Sequence, residues 1–259
     1  MDTRKVDGSA GDADYGAIGT GYADYRKPDH RIAALLADAL DGAHTVVNVG
    51  AGAGSYESVP LKVTAVEPSA SMRRQRPAHL SPAIEGVAEH LPFPDNHFDA
   101  AMTTFSVHQW SDLEAGLREM RRAARGPVVI LTCDPERVRD FWLYEYAPLV
   151  LDTEARRYPP VGDIIDILGG RATVRTVPIP ADCTDGFNEA YYARPERLLD
   201  PGARQACSAW SFVDPATAGK YTDHLQNDLT SGAWDARHGE LRRQPALLGS
   251  LVLIRALPA

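Results

Sequence analysis

The sequence predicts a doubly wound, mainly parallel α/β sheet of seven strands with a helical cap inserted near the C-terminus. Three observations carry this. A β-branched run, Thr45-Val46-Val47-Asn48-Val49, stops abruptly on a glycine, as a buried strand does. Strand and helix patterns then alternate as far as position 132, the spacing of βαβ units. Two late strand patterns, 171–177 and 251–257, are separated by a long helical excursion rich in aromatic residues.

Each element has its own signal. Ile32, Leu35, Leu36, Ala39 and Leu40 repeat at helical spacing, and Asp29 after Pro28 stands as N-cap, so 29–40 reads as a helix. Lys62-Val63-Thr64-Ala65-Val66 is a second strand, after which Ser69 caps a helix that Pro77 stops. Short strands are expected at 82–87, 98–105 and 127–132. Between the last two, Ser111 and Glu114 form a capping box, and the helix after them buries Leu113, Leu117, Met120 and Ala124. Residues 135–168 read as aromatic-rich helices. The resulting organisation is a disordered tail over 1–14, an α/β core with an N-terminal lid over 15–134, and cap helices with the sixth strand over 135–180. A helical cap insertion follows over 181–246, and the last core strand lies within 247–259.

The 259 residues are 44% hydrophobic and 24% charged, ordinary for a globular chain long enough to bury a full core. Cys133, Cys183 and Cys207 are far apart, against both a disulfide scaffold and a cysteine zinc site and in favour of a reducing cytoplasm. The polar start lacks the apolar stretch of a secretory signal, and no apolar run has the ~20 residues of a membrane span. With 27 Lys and Arg against 35 Asp and Glu, the net charge of −8 repels nucleic acid, so small molecules are the expected partners. Two arginine clusters, Arg73, Arg74 and Arg76, and Arg118, Arg121, Arg122 and Arg125, read as solvated helix faces. No metal-ligand spacing stands out.

Three motifs carry chemistry. In Asn48-Val49-Gly50-Ala51-Gly52-Ala53-Gly54-Ser55, three glycines in a strand-to-helix turn let a ligand approach bare backbone. The third glycine comes one residue too early for the dinucleotide fingerprint GxGxxG, so GxGxG fits a nucleoside cofactor without a pyrophosphate. Glu67 ends the second strand, where a carboxylate can accept hydrogen bonds from ribose hydroxyls. The third motif runs from Gly86-Val87-Ala88-Glu89-His90-Leu91-Pro92-Phe93-Pro94-Asp95 into Phe98-Asp99.

In this order the motifs resemble those of the class I S-adenosylmethionine-dependent methyltransferases, and most of all the broad subgroup holding the ubiquinone and menaquinone C-methyltransferases. Val-Asn-Val-Gly-Ala-Gly-Ala-Gly resembles the glycine motif, and Ala65-Val66-Glu67-Pro68-Ser69-Ala70-Ser71-Met72 the ribose motif. Glu89 to Asp95 with Phe98-Asp99 resembles the adenine-side motif, and Leu117-Arg118-Glu119-Met120-Arg121-Arg122 the next helix. The resemblance spans about residues 22–133. Trp234-Asp235-Ala236-Arg237-His238-Gly239 resembles a late pattern of actinobacterial members. The family usually has an acidic residue in place of Asn48 and often Asp in place of Val87; both departures weaken the expected hold on the cofactor.

The resemblance implies a Rossmann-like fold and S-adenosylmethionine as cofactor, with S-adenosylhomocysteine as product. Implied cofactor contacts are Tyr22, Arg26, Asn48, Gly50, Ala51, Gly52, Gly54, Glu67, Pro68, Met72, Ala88, Glu89, Thr104 and Phe105. Tyr22, Tyr25 and Arg26 belong to a segment that related enzymes close as a lid, Arg26 meeting the methionine carboxylate. Catalytic candidates are His108, beyond the fourth strand where a doubly wound sheet binds ligands, Tyr25 and Glu145. Trp142, Tyr144, Tyr191, Tyr192 and Trp210 are the candidates to line an acceptor pocket. The expected reaction is in-line methyl transfer to a small aromatic or apolar acceptor, an indole or phenol ring, with C-methylation favoured. Two alternatives stay open: a cyclase or decarboxylase of the same fold that uses the sulfonium only as a charge, and a non-catalytic cofactor-binding partner protein.

Overall fold

The computed structural model describes residues 21–57 and 61–258. Positions 1–14, expected to be a disordered tail, lie outside the described residues. The main sheet has six strands: β1 (Thr45–Val49), β2 (Lys62–Val66), β3 (Ala100–Thr104), β4 (Val128–Cys133), β5 (Arg171–Thr176) and, late in the chain, β8 (Leu251–Leu257). A separate ribbon pairs β6 (Ile179–Pro180) with β7 (Ala246–Leu247). The main-sheet order is β2-β1-β3-β4-β8-β5; β2, β1, β3 and β4 run parallel, and β8 is antiparallel to both neighbours.

The strand expected at 82–87 is reduced to one bridge. Ile84 donates its N–H to the Ala65 carbonyl and accepts from Glu67 N–H, extending the sheet past β2 by a single residue. Pro82 offers no N–H to a ladder, and Gly86 packs without a side chain. This is why the sheet has six strands and not seven.

Helix α1 (Tyr22–Tyr25) is a single turn, and α2 (His30–Ala39) starts at the expected cap, with Asp29 accepting from Arg31 N–H at 2.9 Å. After β2, Ser69 caps α3 (Ala70–Arg74), which stops three residues short of Pro77. Helix α4 (Leu113–Ala123) is capped by Asp112, which accepts from Ala115 N–H. The expected Ser111–Glu114 box does not form: Ser111 donates to Glu89, and Glu114 pairs with Arg118. Helices α5 (Pro148–Arg157) and α6 (Val161–Leu168) precede β5. Between β6 and β7 come α7 (Pro201–Gln205), α8 (Pro215–Ser231) and α9 (Ala233–His238), joined by 3-10 turns.

Alternation along each strand divides the core. Val47, Val49 and Ile130 face α4 and α6, with Leu117, Met120, Ile164 and Ile254. Val46, Val129, Leu131 and Cys133 face the other way, onto a layer that runs without a break from Ile32 and Leu36 to Trp142, Tyr146 and Trp234. Trp142 meets Trp234 edge-on at 5.3 Å. Nor are the arginine clusters all solvated faces. Arg76 forms a buried ion pair with Glu57 at 2.7 Å, and Arg121 donates to the carbonyls of Gly126 and Ala256.

Candidate active site

The carboxyl ends of β1, β2 and β3 open on a cleft of about 630 Å³, where an open α/β sheet places its ligand. Its floor is the glycine turn. Gly50 and Gly52 adopt left-handed conformations, with φ of 66° and 53°. A Cβ on Gly50 would lie 1.8 Å from Ser106 Oγ, so only glycine lets the turn rest against the end of β3. No helix follows. Residues 52–56 are turns, and β2 begins at Lys62. The sequence reading of a strand-to-helix turn is therefore corrected: glycine backbone in successive left-handed turns, not a helix terminus, lines the cleft.

Glu67 holds this turn. Its Oε2 accepts Gly52 N–H at 2.8 Å and its Oε1 accepts Ser69 N–H at 2.7 Å. Burial pushes its carboxyl above the usual range, against the lowering effect of those two N–H groups. Each oxygen accepts one of these bonds and has capacity for a further donor, and the residue lines the cleft. Asn48 and Gly54 do not reach the cleft. Asn48 is buried in β1 and donates to Glu57 Oε1 at 3.0 Å, and Glu57 in turn pairs with Arg76. Asn48 is thus a positioning residue, and a carboxylate stands one step behind it. Gly54 turns with φ 94° against Leu80.

Ala51, Pro68, Met72, Ala88, Glu89, Thr104 and Phe105 all line the cleft, as does the exposed Val87. Glu89 is committed to its neighbours: its Oε1 accepts Ser111 N–H, Ser111 Oγ–H and Asp112 N–H at 2.7, 2.8 and 3.1 Å.

Tyr22 and Arg26 form the opposite wall, but Arg26 is not free for a ligand carboxylate. Its Nε donates to Asp185 Oδ1 at 2.5 Å, while its guanidinium lies over the rings of Phe105 and Tyr22 at 4.8 and 5.4 Å. Asp185 is buried and also accepts Tyr56 O–H at 2.8 Å. Tyr56 carries φ 63°, and Phe105 carries φ 51° at the end of β3. Such backbone is costly for a side-chain-bearing residue and persists only where its surroundings hold it. The glycine turn, the lid and the late segment are therefore latched at one buried carboxylate.

Beyond Tyr22, Arg26 and Phe105 lies a smaller chamber of about 30 Å³, lined also by His108, Glu154, Arg157, Tyr158, Asn188 and Cys207. The His108 ring lies 4.5 Å from that of Tyr158, and its Nδ1 has no partner among the described residues. Burial depresses its pKa well below the ordinary histidine value, and Arg157 and Arg26 push the same way, so its imidazole is neutral. Glu154 Oε2 accepts Asn188 Nδ2–H at 2.7 Å, and burial raises its carboxyl above the usual range. Arg157 donates to Ser208 and Gln109, each at 2.8 Å.

Other expectations fail here. Tyr25 turns away to donate to Asp200 at 2.9 Å. Glu145 is exposed and pairs with Arg237 and His238. None of the five expected pocket residues lines either cavity. Trp142 and Tyr192 are core, donating to the Tyr192 and Gln244 carbonyls; Trp210 donates to Asn188; Tyr191 packs on Gly186; and Tyr144 is exposed. Sequence reasoning missed Glu154, Asn188 and Asp185. A signal existed for Glu154, which follows Val150 by four residues and Leu151 by three and so shares their buried helical face.

Similarity to known proteins agrees with this geometry. A family described as "Methyltransferase domain" matches residues 47–130. The solved structure of a candidate methyltransferase from an antibiotic biosynthesis pathway of Anabaena variabilis ATCC 29413 is 30% identical. It superposes with a TM-score of 0.84 over 90% of this chain and 98% of that one. The chain belongs to the S-adenosylmethionine-dependent methyltransferases. Two curated relatives match in part: YafE of Escherichia coli K12, an uncharacterized protein, at 37% identity over 29% of this chain and 38% of its own, and the ubiquinone/menaquinone biosynthesis C-methyltransferase UbiE of a Shewanella species (strain ANA-3), at 26% over 42% and 46%. This chain thus spans less than half the length of the curated relatives it matches.

Proposed function

We propose that this methyltransferase-family chain transfers a methyl group from S-adenosylmethionine to a small acceptor that enters through the cleft and meets the inner chamber. One observation carries the reading. Gly50 and Gly52 present bare left-handed backbone to a cleft of about 630 Å³ whose other edge is the strand-end carboxylate of Glu67. A Cβ at Gly50 would collide with Ser106 and push the turn off the end of β3, so the glycine keeps a backbone floor in the cleft that fits a nucleoside.

Gly50, Ala51 and Gly52 would hold the cofactor from below and Glu67 its ribose. Met72, Val87 and Ala88 would give its base an apolar slot, with Tyr22 and Phe105 over the methionine end. The bound group supplies an electrophilic methyl on a sulfonium. The protein's own contribution is alignment and the exclusion of water by Tyr22, Arg26 and Phe105. Arg26, held by Asp185, positions the lid instead of binding a carboxylate.

The chamber mixes the faces of Phe105, Phe187 and Tyr158 with ionisable groups, which supports a small aromatic acceptor carrying polar substituents over a purely apolar one. The net charge of −8 weighs against a nucleic acid substrate, and the buried free thiols of Cys133, Cys183 and Cys207 support a reducing cytoplasm. Among the described residues no helix is long and apolar enough to cross a membrane, and no His, Cys, Asp and Glu cluster could hold a metal ion.

The test is thermal unfolding with S-adenosylhomocysteine, S-adenosylmethionine and NADH in parallel. A ligand at 100 times its Kd stabilises by about 2.7 kcal/mol, a midpoint shift of several degrees. A shift with the two sulfur nucleosides and none with NADH is expected; no shift with either overturns the reading. Mass spectrometry of a turned-over acceptor then gives one added methyl, whereas an isomer or a loss of carbon dioxide places the chain among enzymes that use the sulfonium only as a charge.

A further inference from the structure

We propose that the acceptor is a hydroxylated aromatic ring and that Glu154 is the base that takes the hydroxyl proton as the methyl group is transferred to oxygen. This rests on the methyl-transfer reading above and deepens it.

Three observations lead here. First, the chamber touches the cofactor cleft at Tyr22, Arg26 and Phe105, the residues beside the end of β3 where the reacting methyl would lie. A group in the chamber is therefore next in line behind the cleft. Second, Glu154 is the one carboxylate lining the chamber among the described residues, and it stands in a fixed pose. Asn188 donates to its Oε2 at 2.7 Å, and Asn188 is itself held by Trp210 Nε1–H on its Oδ1 at 3.1 Å. Oε1 has no hydrogen-bond donor among the described residues, which leaves it for an acceptor hydroxyl. Third, the remaining walls suit a ring. Phe105 and Phe187 lie 5.2 Å apart and tilted, and the Tyr158 ring packs on neutral His108.

The environment fits the chemistry. The groups facing Glu154 are the guanidinium groups of Arg157 and Arg26, the carboxyl of Glu189, the thiols of Cys133 and Cys207 and the phenol of Tyr158. Burial raises the Glu154 carboxyl, which makes its ionised form a better proton acceptor than a solvated glutamate. His108 is a poor base where it stands, because burial and the two arginines keep it neutral and disfavour its proton. Its free Nδ1 or the N–H of its ring serves instead to orient a polar substituent. At about 30 Å³ the chamber admits one or two waters, so a ring enters only as the lid turn α1, which has no buried residue of its own, shifts outward.

In the step itself, the hydroxyl oxygen's electron pair forms the bond to the methyl carbon, and the pair of the old methyl–sulfur bond remains on sulfur. The hydroxyl proton passes to Glu154 Oε1. The acceptor leaves as a methyl ether, the sulfonium charge is cancelled, and Glu154 is left neutral until it returns its proton to solvent.

The experiment uses catechol and 4-nitrophenol as probes. Each is titrated by calorimetry into the full chain saturated with S-adenosylhomocysteine, and turnover with methyl-labelled S-adenosylmethionine is followed across pH. The expected result is binding of at least one phenol, an O-methyl product, and a rate that rises with pH through the ionisation of Glu154. Glu154→Gln keeps the Asn188 bond and the volume. It should lower kcat by about 10²–10⁴-fold, leave KM within a few-fold, and bind S-adenosylhomocysteine as tightly as the parent, which also reports that it has folded. Three results overturn the proposal: no binding of either phenol to the S-adenosylhomocysteine-loaded protein, a methyl group found on ring carbon, or unchanged kcat in Glu154→Gln. Each leaves the cofactor reading standing, because that reading fails only if S-adenosylhomocysteine itself does not bind.

Discussion

At the ends of β1 to β3 the cleft rests on a floor of backbone; the chamber next to it is built of side chains. The cleft is shaped by Gly50 and Gly52, whose use lies in having no side chain, and one carboxylate, Glu67, ties their turn to the next element. Its residues come from short contiguous stretches. The chamber instead gathers His108, Asn188 and, both from α5, Glu154 and Arg157, from three elements far apart in sequence, each side chain held by a different neighbour. Backbone recognition is generic and suits a cofactor shared by many enzymes. Side-chain recognition can be rewritten one residue at a time and suits an acceptor particular to one. The two cavities meet at Tyr22, Phe105 and Arg26, the last of them held by Asp185.

That junction gives the largest expected effect. Arg26→Ala leaves Asp185 buried with only Tyr56 as donor, and an uncompensated buried charge of this kind costs about 3–5 kcal/mol. Urea unfolding should show that loss, and a loss below 1 kcal/mol would mean that the two regions are not joined there.

Next in size is a pH effect at a buried carboxylate outside both cavities. Glu189 is buried against Ser250, and burial raises its carboxyl to about 7. The folded chain then holds a proton that the unfolded chain, with an ordinary glutamate, has already released. Stability should therefore fall as pH rises from about 4.5 to 7, by about 3 kcal/mol at most. Glu189→Gln should flatten that fall when midpoints are compared at pH 5 and 7.5, while S-adenosylhomocysteine affinity stays the same. An equal slope in the variant would place the titration elsewhere.

The cleft has its own test in Gly50→Ala. The added methyl meets Ser106 Oγ, which already accepts Trp110 Nε1–H at 3.1 Å and cannot easily give way. Calorimetry should show S-adenosylhomocysteine affinity reduced about 100-fold, equivalent to about 2.7 kcal/mol. If affinity is unchanged, backbone is not what the cleft uses.

Smallest of all is Glu145→Gln. Its pairs with Arg237 and His238 are exposed, so stability should change by less than about 1 kcal/mol and turnover not at all. A drop in turnover would return Glu145 to the active site, where the sequence placed it.

The same contrast explains what the sequence could reveal. The glycine turn, Glu67 and the caps at Asp29 and Ser69 were legible because each is a local pattern whose physics is complete within a few residues. That the described residues after Gly54 are turns and not a helix was not: Ser55, Tyr56 and Glu57 do not forbid a helix, and the turns are held from outside, by Asp185 on Tyr56 and by Arg76 on Glu57. Asn48 read as a cofactor ligand because its motif position was visible and its burial behind Glu57 was not. Trp142, Tyr192 and Trp210 read as pocket residues because an aromatic in a helical segment looks alike whether it faces a ligand or the core. Only the fold decides, and here it decides for the core.

The place of β8 bears on how the chain comes to exist at all. β8 pairs along one edge with β4 and along the other with β5, yet it leaves the ribosome only after positions 177–250. Until then β4 shows an open edge and β5 has no partner in the sheet. Contacts so distant in sequence slow folding and leave unpaired strands exposed to other chains. The stretch with every cofactor motif, including the matched 47–130, therefore depends on the late strand for its own completion. A truncation that keeps all the motifs and drops 251–257 should give aggregated protein, not a smaller methyltransferase domain.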